Sequence, residues 1–267
     1  MNHPSNARPK KSFGQHFLHD RHYIDSIVRA IAPNSEDFLV EIGPGEGALT
    51  LPLLRVAGKL TAIELDTDLI PGLQARAADV GELHIVHADV LNVDFSAMAH
   101  SQGVPRLRLA GNLPYYISSP ILFHCVEHAA AIQDMHFMLQ KEVVDRMAAA
   151  PGSKVYGRLS VMLQLACRVE PLFEVPPEAF RPPPKVDSAV VRLMPIPRDE
   201  LHDAQPEHLY AVVKAAFGQR RKTLANALKL LLDSEAIRRA DVDPRARAET
   251  LAPADFVRLA KVYSSLG

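Results

Sequence analysis

Phe38-Leu39-Val40-Glu41-Ile42-Gly43-Pro44-Gly45-Glu46-Gly47 decides the fold. Its first five residues are nearly all apolar and do not alternate, so they read as a strand buried on both faces. The glycines that follow let the backbone turn sharply and approach a ligand closely. An apolar helix start comes next. Working outward, LTAIEL (60–65) is a second strand, followed by a helical pattern over Asp68–Ala78. LHIVHAD (83–89) and LRLAGN (107–112) are the third and fourth strands, and MHFMLQ (135–140) is the fifth. SPILFHCVEH (119–128) and KEVVDRMAA (141–149) are helical. Strands alternating with helices imply a mainly parallel sheet covered on both faces, an α/β architecture. RLSVMLQLA (158–166) supplies a helix or strand. CRVEPLFEV (167–175) and SAVVRLMPI (188–196) read as antiparallel strands, separated by the rigid proline loop RPPPK (181–185). From His208 to Leu266 only helical periodicity remains. The expected domains are an α/β domain over 1–197 and a small all-helical domain over 198–267.

With 48% hydrophobic and 23% charged residues, the 267-residue chain reads as a soluble globular protein. Cys125 and Cys167 sit among apolar neighbours, which suits reduced core thiols; two cysteines make no metal framework, and no metal site is expected. No apolar run is long enough to span a bilayer. The opening MNHPSNARPKKSFGQ lacks the apolar core of a secretory signal, so a cytoplasmic protein is expected. Charge is unevenly placed along the chain. Glu36 to Asp94 carries eleven acids and three bases, whereas Lys214 to Arg247 carries nine bases and four acids. Residues 1–22 carry Arg8, Lys10, Lys11 and Arg21 against Asp20. An acidic region flanked by basic surfaces suits a protein that meets phosphate.

Open α/β sheets bind ligands beyond the carboxyl ends of their strands. Gly43, Gly45 and Gly47 follow the first strand with G-x-G-x-G spacing, not the G-x-G-x-x-G of a dinucleotide fold, and acidic Glu41 precedes them. A carboxylate there suits a cationic ligand better than a diphosphate. Glu64 ends the next strand, where it can accept hydrogen bonds from ribose hydroxyls. Asp89 ends the third, placed to accept from an adenine amino group. A single acid at a strand end is commonly a helix cap; on successive strands, the three features describe a pocket for an adenosine bearing a positive sulfonium arm.

Asn112-Leu113-Pro114-Tyr115 follows the fourth strand. The lone pair of an adenine amine is delocalised into the ring, and two acceptors aimed at the amine hydrogens draw it out. The Asn112 side-chain oxygen and the Leu113 carbonyl are the candidate acceptors. Pro114 fixes the backbone dihedral, and Tyr115 offers an aromatic face for the base.

SFGQHFLHD (12–20), VEIGPGEGALT (40–50), IELD (63–66), GNLPYYIS (111–118), MHFMLQKEVVDRM (135–147), YGRLSVM (156–162) and FRPPPKVDSAVVRL (180–193), in that order, resemble the ribosomal RNA adenine dimethyltransferases. The bacterial small-subunit type is most similar. The resemblance implies a Rossmann-like methyltransferase domain and S-adenosylmethionine as cofactor. It implies dimethylation of the N6 amines of two adjacent adenosines in the 3′-terminal hairpin of small-subunit rRNA, within an assembling small subunit. Its cofactor contacts fall on His16, Leu18, Gly43, Glu64, Asp89 and Asn112. Gln15 lies in the segment (10–20) expected to close over the methionine end. Phe180 corresponds to an aromatic residue that stacks on the base opposite Tyr115. Two departures stand out: His16 and Tyr116 occupy positions where the family commonly has Asn.

Lys10, Lys11, Lys214, Arg220, Arg221 and Lys222 are candidate phosphate contacts, with Gln219–Leu224 expected to begin or lie within a helix and Leu224, Leu228 and Leu231 facing the core. A monomer is expected. The alternatives are a large-subunit rRNA adenine methyltransferase conferring antibiotic resistance, and an rRNA-binding assembly factor whose catalysis is secondary. A nucleotide-dependent oxidoreductase is disfavoured by the glycine spacing and by Asn112–Tyr115.

Overall fold

The computed structural model describes residues 16–197, 204–219 and 221–266. Its strands are β1 (Phe17–Leu18), β2 (Leu39–Ile42), β3 (Lys59–Glu64), β4 (Glu82–His87), β5 (Leu107–Asn112), β6 (Ile132–Gln140), β7 (Cys167–Val175), β8 (Phe180–Arg181) and β9 (Ser188–Pro195). The helices are α1 (Arg21–Ile31), α2 (Thr50–Ala57), α3 (Ile70–Ala77), α4 (Phe95–Ser101), α5 (Ser118–Glu127), α6 (Lys141–Met147), α7 (Arg158–Ala166), α8 (Pro206–Gly218), α9 (Leu224–Ala227), α10 (Ser234–Arg239) and α11 (Pro253–Ser264).

Seven strands form one sheet in the order β4-β3-β2-β5-β6-β9-β7. The pairs β2–β3, β3–β4, β2–β5 and β5–β6 are parallel, and β6–β9 is antiparallel. The α/β architecture expected from the alternating runs is what forms. All four residues of β2 are buried, which is why its sequence shows no alternation. From β2 the chain winds outward to β3 and β4, then returns to β5 on the other side. This reversal opens a crevice beyond the ends of β2 and β5. At Gly111 the two strands approach so closely that a Cβ would lie 2.5 Å from the Ile42 carbonyl oxygen. A two-stranded pair not expected from the sequence lies apart from the main sheet: β1 runs antiparallel to β8, with Phe17 opposite Arg181 and Leu18 opposite Phe180.

The chain divides into two compact units, Met1–Val144 with Glu170–Pro195, and Asp145–Val169 with Ile196–Gly267. The single expected boundary after residue 197 therefore misplaces one segment. Residues 145–169, expected in the α/β domain, belong with the C-terminal helices, because Ala149, Tyr156 and Val161 are buried in one apolar cluster with Val212, Leu224 and Phe256. The Tyr156 hydroxyl donates to the Leu251 carbonyl at 2.8 Å inside that cluster. RLSVMLQLA, open between helix and strand, is the helix α7. Leu224 and Leu228 are fully buried and Leu231 packs against the same cluster, as expected. Of the Gln219–Leu224 stretch, expected to begin or lie within a helix, Gln219 caps the end of α8, Thr223 is the N-cap of α9 and Leu224 begins α9, so its end starts a helix and its described remainder does not lie within one. In the sheet unit, the apolar core gathers Ile24, Ile27 and Ile31 of α1 with Leu53 and Leu54 of α2. Both cysteines are buried and form no disulfide, and burial pushes the Cys167 thiol up to about 12. Among the described residues no helix is long and apolar enough to cross a membrane, and no His, Cys, Asp and Glu cluster has the geometry of a metal site.

Candidate active site

One pocket at the carboxyl ends of β2, β3, β4 and β5 gathers most of the residues singled out in the sequence. His16, Leu18, Glu41, Gly43, Gly45, Glu64, Asp89, Asn112, Leu113, Pro114 and Tyr115 all line it. So does Tyr116, which is 57% exposed. Gln15, Lys10, Lys11 and Arg220 lie outside the described residues.

The glycine loop leaves β2 with Gly43 and Gly45 at φ of +67° and +55°, a region that other residues enter only under strain. At Gly45 a Cβ would also press on the Phe17 ring at 3.2 Å. The Gly45 N–H donates to Glu64 Oε2 at 3.1 Å, and the Asp66 N–H donates to Oε1 at 2.8 Å. The loop amide that a dinucleotide fold would offer to phosphate is thus turned to a carboxylate. Glu64 is fixed in place and retains further lone pairs on both oxygens. Burial raises its affinity for a proton, against the pull of those backbone donors.

Glu41 is the more exposed to electrostatic stress, being 1% solvent-accessible with Oε2 buried and without a hydrogen-bond partner. Burial, reinforced by the charge of Glu64, lifts its carboxyl to about 8. Asp89 both caps the short turn after β4, accepting from the Leu91 N–H at 3.0 Å through Oδ1, and lines the pocket. Five carboxyl-bearing residues line this pocket and no described lysine or arginine does. An anionic ligand meets no described lysine or arginine there, whereas a cation with hydroxyl and amino donors meets several carboxyl acceptors. The residues therefore fit S-adenosylmethionine.

At the end of β5, the Asn112 Nδ2 donates to the His16 carbonyl at 3.0 Å. That bond sets which way the amide points, leaving Oδ1 as its accepting atom. The Leu113 N–H is held by the Met138 carbonyl at 3.1 Å, and its own carbonyl accepts none of the loop hydrogen bonds among the described residues. Pro114 sits at φ −59°. The Tyr115 hydroxyl shares a 2.6 Å hydrogen bond with Ser188 Oγ, and burial keeps the phenol in its neutral form. Its ring lies 5.8 Å from that of His16 at an interplanar angle of 28°. His16 Nδ1 is 2.7 Å from the Pro182 carbonyl, so this one residue joins the N-terminal segment, the proline loop and the Asn112 tetrapeptide.

Phe180 is corrected by the structure. Its side chain is 2% exposed and lies in the core with Leu18 and Ile24, outside the residues that line the pocket. Through β8 it supports the strand that carries Leu18. An aromatic residue before a proline turn has the same sequence signature whether its ring faces core or ligand. Sequence reasoning missed Phe17, Asp66 and Ser188. Ser188 lies within the FRPPPKVDSAVVRL stretch, but only the fold shows that its hydroxyl reaches Tyr115.

The ribosomal RNA adenine dimethylase family model matches residues 6–265. The chain belongs to the ribosomal RNA adenine dimethylases. Among its relatives is a Ribosomal RNA small subunit methyltransferase A of Xanthomonas oryzae pv. oryzae, 62% identical over 98% of this chain and 99% of that protein. The counterpart from Xanthomonas campestris pv. campestris is 61% identical over the same shares. A crystal structure of a dimethyladenosine transferase from Plasmodium falciparum covers 94% of this chain and 98% of its own, at a TM-score of 0.80 and 26% identity. The 23S rRNA methyltransferase ErmE covers 93% of this chain and 99% of its own, at a TM-score of 0.69 and 25% identity. In this member of the family, the carboxyl-rich pocket and the Asn112–Tyr115 stretch lie together at the carboxyl ends of neighbouring strands.

Proposed function

We propose that this chain transfers methyl groups from S-adenosylmethionine to the N6 amines of two adjacent adenosines in the 3′-terminal hairpin loop of small-subunit rRNA. It acts as a monomer in the cytoplasm, on an assembling small subunit. The observation that carries this reading is the juxtaposition of the carboxyl-rich pocket with Asn112 and Leu113 at the end of β5. The 62% identity to a small-subunit enzyme over nearly the full length favours that substrate over the large-subunit alternative.

S-adenosylmethionine supplies an electrophilic methyl group on a positively charged sulfur. Glu64 would accept from the ribose hydroxyls and Asp89 from the adenine amine of that cofactor, and Glu41 and Gly43 would help to hold it in the same pocket. His16 and Leu18, on the segment paired to β8, close one wall. Asn112 Oδ1 and the Leu113 carbonyl accept the two hydrogens of the target amine. This draws its lone pair out of the ring and aims it at the methyl group. Tyr115, held by Ser188, presents its ring to the base. No strong general base is needed, because the methylated amine is acidic and releases its proton to solvent. The rate gain rests on alignment, an effect worth roughly 7–11 kcal/mol in well-oriented reactions. The target base must be unstacked to enter, which a hairpin loop makes inexpensive.

Methyl transfer from labelled cofactor to undermethylated small subunits, followed by nucleoside analysis, tests the reading. Wild type is expected to yield dimethyladenosine. Asn112→Ala removes one of the two acceptors and is expected to lower the rate by about a hundredfold or more, the scale seen when one preorganised hydrogen-bonding group is removed from an active site. No methylated adenosine from wild type on competent subunits would overturn the catalytic reading in favour of an assembly factor.

A further inference from the structure

Among the described tyrosines and phenylalanines two rings are exposed, and they lie in different units. Tyr116 belongs to the pocket; Tyr210, 40% exposed on α8, belongs to the helical unit. Two cations gather at the Tyr210 ring. The Arg158 guanidinium carbon, from α7, lies 5.2 Å from its centroid, and Lys214 Nζ, one turn further along α8, lies 5.9 Å away. Cation–ring attraction at an exposed site is weak, about 0.5–1 kcal/mol, and does not by itself account for leaving such a ring in water. The unit that carries the cluster holds sixteen bases and eleven acids, a formal net of +5, while the sheet unit holds fourteen bases and twenty acids, a net of −6.

A part-exposed ring with two cations over it, on a positive unit, matches a ligand with a planar ring and a phosphate. Single-stranded nucleic acid presents both, and stacking on an aromatic side chain is tolerant of base identity. Duplex RNA would use the cations but not the ring, because its bases are already stacked. We infer that Tyr210, Arg158 and Lys214 form a second RNA contact, which takes an unpaired nucleotide of the small-subunit rRNA with its base against the Tyr210 ring and its phosphate at Arg158 and Lys214. The inference rests on the reading that rRNA is the substrate. This contact positions the particle and takes no part in methyl transfer.

The test measures binding of undermethylated small subunits to wild type, Tyr210→Phe, Tyr210→Leu and the double variant Arg158→Ala/Lys214→Ala, over a salt series. Melting temperature and cofactor affinity are followed in parallel. Tyr210→Leu keeps an apolar side chain but removes the ring, and is expected to weaken binding roughly five- to 150-fold. Tyr210→Phe is expected to bind within about twofold of wild type, since the ring is retained. The double variant is expected to flatten the slope of log affinity against log salt by roughly 1.4–1.8. Tyr210→Leu binding as wild type overturns the inference, even where the double variant loses affinity, because phosphates would then be met without a base. Loss shared by Tyr210→Leu and Tyr210→Phe also overturns it, since the ring would not be what matters. Wild type that binds and methylates the subunits while Tyr210→Leu is unaffected rejects this contact alone. Wild type that neither binds nor methylates rejects the underlying reading.

Discussion

Asn112 and Glu41 lie on the neighbouring strands β5 and β2 and treat their polar atoms in opposite ways. The His16 carbonyl takes the Asn112 Nδ2, so Oδ1 is preset as an acceptor before any base arrives. Glu41 is the opposite case, a buried carboxyl with an unpartnered oxygen. Its value of about 8 in the fold, against 4.5 for the free group, means that the folded chain holds a proton the unfolded chain releases between these limits. Folding stability from this group therefore falls as pH rises from about 4.5 to about 8, and stays low above. Glu41→Gln removes that dependence. Its melting temperature is expected to exceed wild type by a margin that widens from pH 5 to pH 9, measured by calorimetry without cofactor. The same variant is expected to bind S-adenosylmethionine more weakly. Wild-type affinity for this cation is expected to rise through pH 8 as Glu41 ionises, while the Gln variant stays flat. A margin independent of pH would reject the assignment.

At the scale of elements, the start of β5 is tied down at the end of the sheet remote from the pocket. Arg108 pairs with Asp37 at 2.7 Å and with Asp134 at 2.8 Å, and its Nη2 also donates to the Ile31 carbonyl that closes α1. All three side chains are largely buried. Arg108→Met leaves two carboxylates without their cation and is expected to destabilise the fold by about 3–5 kcal/mol. Denaturant unfolding measures it, and a loss under about 1 kcal/mol would show that water replaces the guanidinium. Elements of this kind were legible to different degrees. The parallel strands could be read because burial on both faces gives continuous apolar runs. The pocket could be read because the fold places ligands at strand ends, and Glu64, Asp89 and Asn112 occupy three of them. β1 and β8 could not, since two residues carry no periodicity and their pairing joins positions over 160 residues apart. α7 was readable as an apolar segment, but its amphipathic pattern says that a face is buried and not which partner covers it. Phe180 failed for the same reason at the level of one side chain.

Across the whole molecule, charge separates with the units. The acids that suit a cationic cofactor lie in the sheet unit, and an excess of bases lies in the helical one. Arg221 and Lys222 are exposed beside the turn between α8 and α9. Arg221→Ala/Lys222→Ala is expected to weaken binding of small subunits uniformly and to reduce the salt slope by roughly 1.4–1.8, with cofactor affinity unchanged. Slopes identical to wild type over a salt titration would remove these residues from the RNA surface.

The division of the chain also sets a timetable during synthesis. Tyr156 and Val161 are made well before their partners Phe256 and Leu259, with roughly 100 residues of translation between them. At about 5–20 residues per second that interval lasts on the order of 5–20 s. Early in it, α7 has emerged with an apolar face that nothing yet covers; α8 and α9 follow, and the cluster stays incomplete until α11 is made. The nascent chain is at its most aggregation-prone in that window. A stop codon placed after residue 197, where the sequence alone would have cut, makes the exposure permanent.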